Sequence, residues 1–343
     1  MLRISGRGVC MANRRANAVV FAWDFQVNAS IVLMLENIED LSSVRIESDN
    51  EDIDITLNDG THILAQAKSV EKSSSDFSHV LSNLEKSLLT LSEGASKVNC
   101  DKLIYITNTP NPLKDDILRN IFTENAHRDY DSLPQPGKDI VDKYIDKLGI
   151  DIDLEKLSIQ ILPFETDNQQ ERYKYVYKAV DDFVGRLQIS RPGFISQLLS
   201  CWQQDVFFNG SQKDLSLKLS KKDLIWPAIM IVIDIERYPS SFSERFDDGL
   251  YDEIVYQYHE AIRTCCERFE LITKVLYDYN SYCKNNRSNS IEEFALTQWK
   301  NYIDDFNLKD VNEEIQSGFI QIVLYNIIKN RFVVDKIKSG VNL

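Results

Sequence analysis

The segment EDIDITLNDGTHILAQAKSV, residues 51–70, decides the fold because it has the pattern of two strands joined by a tight turn. Residues 52–57 and 62–70 are rich in β-branched and other apolar residues, which favour strands. The Asn-Asp-Gly turn at 58–60 tolerates the left-handed backbone that short hairpin loops require. The sequence therefore predicts an antiparallel hairpin here.

The elements around this hairpin predict an α/β core. Apolar residues recur with helical spacing over 23–38 and again over 76–95, and the β-branched segment 44–48 precedes the hairpin. A buried strand is predicted over 102–109, where KLIYITNT runs into prolines. The order helix, three-strand meander, helix and strand predicts a mixed sheet flanked by helices.

Further along the chain, residues 113–150 are predicted to be polar helix, interrupted by a loop at 133–137. A strand is predicted over 157–165 and a charged helix over 167–188. The segment ISRPGF, which contains Pro192 and Gly193, is the best candidate for a domain boundary.

Everything beyond the boundary is predicted to be helical. A capping-box pattern begins one of these helices at Ser290, where Glu293 follows three positions later. The predicted helices cover 194–207, 221–236, 249–284, the segment from 290 through Trp299, and 309–331. The expected domains are a poorly ordered basic arm at 1–20, an α/β domain at 21–188, a linker at 189–193 and an all-α domain at 194–343.

Composition indicates an ordinary soluble protein, with 43% hydrophobic and 27% charged residues. We expect no membrane-spanning segment and no signal peptide, because the apolar run 226–235 is short and residues 1–23 contain scattered arginines. The six cysteines form no CxxC pair and are expected to be reduced, as in a cytoplasmic protein.

The formal net charge of −14 argues against a protein whose whole surface binds nucleic acid, because phosphate contacts need Lys and Arg. It leaves room for a local basic groove. It also suggests that binding of DNA would require oligomerisation or a partner protein.

The hairpin carries the candidate chemistry. Strand side chains alternate between faces, so Asp52 and Asp54 are expected on one side, and Gln66 and Lys68 also share a face. If the register pairs these faces, carboxylates, an amide oxygen and an ammonium group converge. Mg²⁺ prefers carboxylate and amide oxygens, and a lysine can orient or deprotonate an attacking water. The set suits metal-assisted hydrolysis of phosphodiesters.

Two simpler interpretations remain open at this level. The residues could form an acidic surface hairpin with one lysine, since QxK is a weak motif in isolation. His62 has the same parity as Gln66 and could reach the cluster, although a surface histidine at a strand end is the more common case. No HxxxH or HxH zinc pattern occurs.

An ordered set of residues resembles the endonuclease domain of the CD-NTase-associated nuclease effectors. The set is FQ at 25–26, Glu47, EDID at 51–54 and QAK at 66–68, and the resemblance covers roughly residues 20–110. The same domain type occurs in the nuclease subunit of Lamassu and related ABC-three-component antiphage systems. The resemblance implies a restriction-endonuclease-like α/β fold of the PD-(D/E)xK type.

By this resemblance Asp52, Gln66 and Lys68 would be catalytic, with Asp52, Gln66 and Glu47 as metal ligands. Asp54 is the alternative acidic metal ligand, because alternation along the strand places it on the same side as Asp52. Gln26 would support the metal site or, alternatively, cap the edge of the sheet. The implied cofactor is Mg²⁺, with Mn²⁺ as a substitute.

The helical C-terminal part, from FISQLLSCWQQDVF to SKKDLIWPAIMIVID, more weakly resembles the docking domain of the ABC-three-component proteins. This implies a nuclease acting on double-stranded DNA, held inactive by an SMC-like ATPase and an accessory subunit. Release would permit homo-oligomerisation and cutting. The alternatives are a catalytically inactive scaffold, an adaptor that binds nucleic acid or proteins, and a nuclease acting on RNA.

Overall fold

The computed structural model describes residues 8–165, 168–233, 242–247, 249–254, 268–286, 290–306 and 311–343. The chain forms two compact units. The first comprises Met1–Arg186 with Ile195–Lys221, and the second comprises Leu187–Phe194 with Lys222–Leu343.

The first unit is built on a seven-stranded mixed sheet with the order β5-β6-β4-β3-β2-β1-β7. The strands are β1 Leu41–Ile46, β2 Ile53–Leu57, β3 His62–Lys68, β4 Cys100–Thr107, β5 His127–Asp129, β6 Leu157–Ile161 and β7 Leu219–Ser220. Strands β1, β2 and β3 form the predicted antiparallel meander, while β4 runs parallel to both β3 and β6. Edge strands β5 and β7 pair antiparallel with β6 and β1.

Helices flank this sheet. They are α1 Gly8–Glu36, α2 Val80–Ala95, α3 Gln135–Leu148, α4 Gln169–Arg172, α5 Lys174–Arg186 and α6 Phe194–Ser211. Helix α1 packs on β1, β2 and β3, and its residues 25–35 are buried. Helix α2 packs on β3 and β4 through the buried residues Val80, Leu84, Leu88 and Leu91. The predicted mixed sheet with flanking helices is confirmed.

The stretch Asn17–Glu36 of α1 is long and apolar enough to cross a membrane by length and composition, with a hydropathy of 1.6. Within the fold, 61% of an 18-residue window of this stretch is buried. A helix that is apolar on most sides is expected to be buried in a protein core or a membrane. In this structure the core of the first unit covers it.

Several predicted segments differ from the structure. Residues 8–20, predicted to belong to a poorly ordered arm, form the first part of helix α1. The polar segment 113–132, predicted to be helix, instead contains the 3₁₀ turn Leu118–Phe122 and strand β5. The predicted loop at 133–137 overlaps the first turn of α3. Pro136 is tolerated there because an N–H in the first turn of a helix has no partner within the helix.

Helix α6 belongs with the α/β unit, whereas the predicted domains grouped residues 194–221 with the helical region. Its Trp202 is fully buried and contacts Phe183 of α5. Gln203 donates to Asn28 of α1 at 2.8 Å. Apolar spacing along the chain predicts a helix but does not identify the surface on which the helix packs.

The described residues of the second unit form helices and connecting turns, with no strand among them. Its helices are α7 Lys221–Ile233, α8 Arg268–Asn286, α9 Ile291–Gln298, α10 Glu313–Lys329 and α11 Arg331–Ser339, and residues 249–254 are also helical. Ser290 caps α9 as predicted, since its side chain accepts from the Glu293 N–H. Residues 255–267 of the long helix predicted over 249–284 lie outside the described residues.

Candidate active site

The candidate site lies where β2 begins and β3 ends. The register pairs Ile53 of β2 with Ala65 of β3. Because the strands are antiparallel, Asp52, which precedes Ile53, faces Gln66, which follows Ala65. Because β3 alternates, Gln66 and Lys68 point to the same side, with Ala67 between them.

The carboxylate of Asp52 is the centre of this cluster. Its Oδ2 accepts a hydrogen bond from the backbone N–H of Ala67 at 3.1 Å and lies 3.6 Å from Lys68 Nζ. The Nε2 of Gln66 donates to the same oxygen. The structure thus brings together the three residues Asp52, Gln66 and Lys68, as the hairpin pattern and the resemblance require.

The side-chain amide of Gln66 is held at both ends. Its Oε1 accepts a 2.5 Å hydrogen bond from the Thr90 hydroxyl on α2, and its Nε2 faces Asp52. The nitrogen, and not the oxygen, is therefore the atom directed at the carboxylate. If Gln66 is to bind a metal ion through oxygen, its amide must make a half-turn and exchange these two contacts.

Gln26 joins α1 to the ends of two strands. Its Nε2 donates to Glu47 Oε1 at 2.9 Å and to the backbone carbonyl of Asp52 at 3.1 Å. Glu47 has a positive φ of 54°, which is strained for a residue other than glycine, and its N–H donates to the same Asp52 carbonyl at 2.8 Å. These contacts place both Gln26 and Glu47 beside Asp52, and they give Gln26 a positioning role.

Asp54 does not join the cluster, although it lies two residues from Asp52 and was expected on the same side of the strand. It lies opposite Leu64, and only 2% of it is exposed. One carboxylate oxygen lies 2.6 Å from His62 Nδ1, and the other accepts from Asn50 Nδ2 at 2.8 Å. The alternative placement of Asp54 as the metal acid is therefore not supported, and His62 contacts Asp54.

Glu51 is a site residue that the sequence patterns missed. It is only 6% exposed, and its Oε2 accepts from the Asp52 N–H at 3.1 Å. Burial raises the pKa of Glu51 to about 7, and the neighbouring Asp52 charge adds to this effect while Thr90 and Lys68 oppose it. Residues 47–52 lie outside the strands, so strand alternation carries no information about Glu51.

The electrostatics of the cluster favour a cation. Burial also raises the pKa of Asp52; Lys68 lowers that pKa, while Glu47 raises it. The Asp52 carboxylate thus interacts with the charges of Glu47, Glu51 and Lys68. Within the described parts of the chain, no group of three or more His, Cys, Asp or Glu side chains is arranged to hold a metal ion. A Mg²⁺ ion in a protein is often held by one or two carboxylates together with water.

Comparison with protein-family models, curated proteins and solved structures finds no match to this chain. The chemistry that can be assigned to the cluster therefore rests on its own residues. These are the buried carboxylate of Glu51, the partly buried carboxylate of Asp52, a lysine and two glutamine amides, at one end of a β-hairpin.

Proposed function

We propose that this protein is a metal-dependent endodeoxyribonuclease of the PD-(D/E)xK type. The observation that carries the proposal is the position of Lys68 Nζ, 3.6 Å from the partly buried carboxylate of Asp52. A carboxylate that can hold a divalent cation and an amine that can act on water meet at one point. Hydrolysis of a phosphodiester requires that combination.

The fold supports the same proposal. Helix α1, the antiparallel meander β1-β2-β3, helix α2 and the parallel strand β4 follow one another along the chain. This order agrees with the restriction-endonuclease-like domain that the resemblance to the CD-NTase-associated nucleases implies. Asp52 directly precedes β2 and Lys68 ends β3, the two strands beside which that family carries its motif.

In this proposal each residue of the cluster has a separate role. Asp52, with a second acidic group, holds the metal ion, and Gln66 can contribute its amide oxygen after a half-turn. Bound Mg²⁺ or Mn²⁺ would supply a water of lowered pKa and would stabilise charge on the phosphate. Lys68 orients or deprotonates the attacking water and offsets the phosphate charge. Gln26 keeps the Asp52 backbone in place through its hydrogen bond to the carbonyl.

The regulation implied by the resemblance is part of the proposal. The protein would be a cytoplasmic effector of a prokaryotic antiphage or anti-plasmid defence system. An SMC-like ATPase and an accessory subunit would hold it inactive, and release would let it oligomerise on double-stranded DNA. The net charge of −14 is consistent with a subunit that does not bind DNA alone, because phosphate contacts need Lys and Arg.

One observation favours a second candidate, a catalytically inactive scaffold or adaptor. The Gln66 amide presents nitrogen to Asp52, and Thr90 occupies its oxygen. A site that has lost its metal ion could settle into such a closed network. The absence of Mg²⁺-dependent cleavage and of metal binding in solution would support this candidate.

The test is cleavage of supercoiled plasmid, linear DNA and RNA in Mg²⁺ or EDTA at protein concentrations high enough for self-assembly. Lys68→Ala is the informative variant, and Lys143→Ala, an exposed lysine on α3, is the matched control. We expect Mg²⁺-dependent DNA cleavage that Lys68→Ala reduces at least about 100-fold and Lys143→Ala leaves unchanged. Equal cleavage by the Lys68→Ala variant would contradict the proposed site.

A further inference from the structure

The turn between β1 and β2 buries a carboxylate oxygen that has no partner. Glu51 is 6% exposed, and its Oε1 accepts no hydrogen bond from any of the described residues. Buried polar atoms are nearly always paired, and an isolated buried charge is costly. An unpaired carboxylate oxygen at this position therefore calls for a ligand.

The Thr90 hydroxyl lowers the pKa of Glu51, but it donates its hydrogen to Gln66 Oε1. Other groups near Glu51 offset its charge only in part. Its Oε2 takes the Asp52 N–H, which leaves the charge of the group only partly balanced. The neighbouring ammonium group of Lys68 already lies 3.6 Å from Asp52. The contacts that the Asp52 carboxylate makes to Gln66, Ala67 and Lys68 all involve Oδ2 and leave Oδ1 aside. Two adjacent carboxylates therefore each keep an oxygen available.

We propose that Glu51 and Asp52 together bind the divalent cation, with Glu51 as a direct ligand. The inference rests on the proposed function, because it concerns the metal ion of the same site. Two carboxylates completed by water molecules form a suitable site for Mg²⁺ or Mn²⁺.

The other acidic side chains of the segment are less suited to this role. Asp54 is committed to His62 and Asn50 through both of its oxygens. Glu47 is exposed and accepts the Gln26 amide. Glu51 differs from both because it is buried and keeps an unpaired oxygen.

The turn holds Glu51 in place before any ligand binds. The Ser48 hydroxyl accepts from the N–H groups of Asn50 and Glu51 at 3.0 Å each, and it donates to the Glu51 carbonyl at 3.0 Å. Helix α2 supports the turn from outside, where a Cβ on Gly94 would lie 2.6 Å from the Asn50 carbonyl oxygen. The ligand geometry is therefore largely preorganised, and this reduces the entropic cost of binding.

The test is calorimetric titration with Mn²⁺ of the full-length wild-type chain, of Glu51→Gln and of Asp49→Asn. Asp49 is exposed in the same turn, so its variant makes the same change of charge without altering the cluster. We expect the wild type and Asp49→Asn to bind Mn²⁺ alike, and Glu51→Gln to bind at least about tenfold more weakly. Unchanged binding by Glu51→Gln, or no binding by the wild type, would overturn the inference.

Melting curves in EDTA separate a loss of ligand from a loss of fold. Because Glu51→Gln removes a buried charge, its metal-free melting temperature is expected to equal or exceed that of the wild type, while the rise on adding Mn²⁺ disappears. Cleavage assays then separate the two proposals. A wild type that cuts DNA while Glu51→Gln binds Mn²⁺ normally refutes only the role of Glu51. A wild type that binds Mn²⁺ through Glu51 but does not cut refutes only the nuclease.

Discussion

The hydroxyl of Thr90 on α2 donates a 2.5 Å hydrogen bond to Oε1 of Gln66 on β3. This contact determines which end of the amide faces Asp52, because the opposite end then presents its N–H donors to the carboxylate. A single hydroxyl on a neighbouring helix thereby sets the hydrogen-bonding polarity of the cluster.

Removing this hydroxyl should cost stability. In Thr90→Val the shape of the side chain is kept, but Gln66 Oε1 loses its donor in a largely buried position. We expect the free energy of unfolding to fall by about 1–2 kcal/mol, as measured by urea denaturation. Thr90→Ser keeps the hydroxyl and should lie closer to the wild type. A Thr90→Val protein as stable as the wild type would show that the bond does not hold the amide.

Gly94 is predicted to tolerate no larger side chain. A Cβ there would lie 2.6 Å from the Asn50 carbonyl oxygen and 2.9 Å from Leu64 Cδ1. We expect Gly94→Ala to lower stability by about 1–3 kcal/mol through overpacking, although alanine is the better helix former. Gly185→Ala on α5, where nothing lies within 4 Å of the added Cβ, is the control and should raise stability by up to about 1 kcal/mol. The account would be contradicted if thermal or urea unfolding showed that both variants change stability in the same direction relative to the wild type.

Arg45 is predicted to hold the segment that follows α6. It is fully buried, and its guanidinium donates to the backbone carbonyls of Asn209, Gln212 and Leu217. Arg45→Met fills similar space but leaves these carbonyls without the cation, so we expect a loss of about 2–4 kcal/mol in urea denaturation. The stability of Arg45→Lys should lie between those of the wild type and Arg45→Met, since one ammonium group reaches fewer carbonyls. A loss below about 0.5 kcal/mol in Arg45→Met would mean that water replaces the guanidinium there.

Stability should depend on pH through Glu36 at the end of α1. Burial raises the pKa of Glu36 to about 7, although the Gln160 hydrogen bond and the Lys102 charge lower it. Because the folded-state pKa lies above the unfolded value, this group stabilises the fold at low pH and loses that contribution as pH rises through 7. His127 lies 3.3 Å away, and burial lowers its pKa, so its own titration acts in the opposite direction.

Comparison with Glu36→Gln isolates the contribution of the glutamate. The melting temperature of the wild type, relative to that of Glu36→Gln, is expected to fall as pH rises from the ordinary pKa of 4.5 to the folded-state pKa of about 7. A constant difference over that range, or one that increases with pH, would contradict the raised pKa of Glu36.

The local patterns of the sequence were sufficient for the hairpin and for part of its cluster. Alternation along β3 and the Asn-Asp-Gly turn at 58–60 are short-range signals, and they placed Gln66 and Lys68 on one side of the strand. Asp52 follows from the same register. The three residues meet because one short hairpin fixes all of their positions.

The remaining features depend on contacts that local patterns do not encode. Glu51 belongs to a turn where strand alternation fails, so its burial could not be anticipated. Strands β5 and β7 have three and two residues, too few to show a period. Helix α6 was predicted, but its place beside α1 depends on Trp202 and Gln203, whose partners are far away along the chain.

The most direct test of the central claim is the single-turnover rate of Mg²⁺-dependent plasmid cleavage by Asp52→Asn beside the wild type. Asparagine keeps the size of the side chain and can still accept the Ala67 N–H, but it removes the charge that would bind the metal ion. We predict a rate at least about 100-fold below that of the wild type, with an unchanged fold. An Asp52→Asn protein that cuts DNA at the wild-type rate would contradict a nuclease site built on this carboxylate.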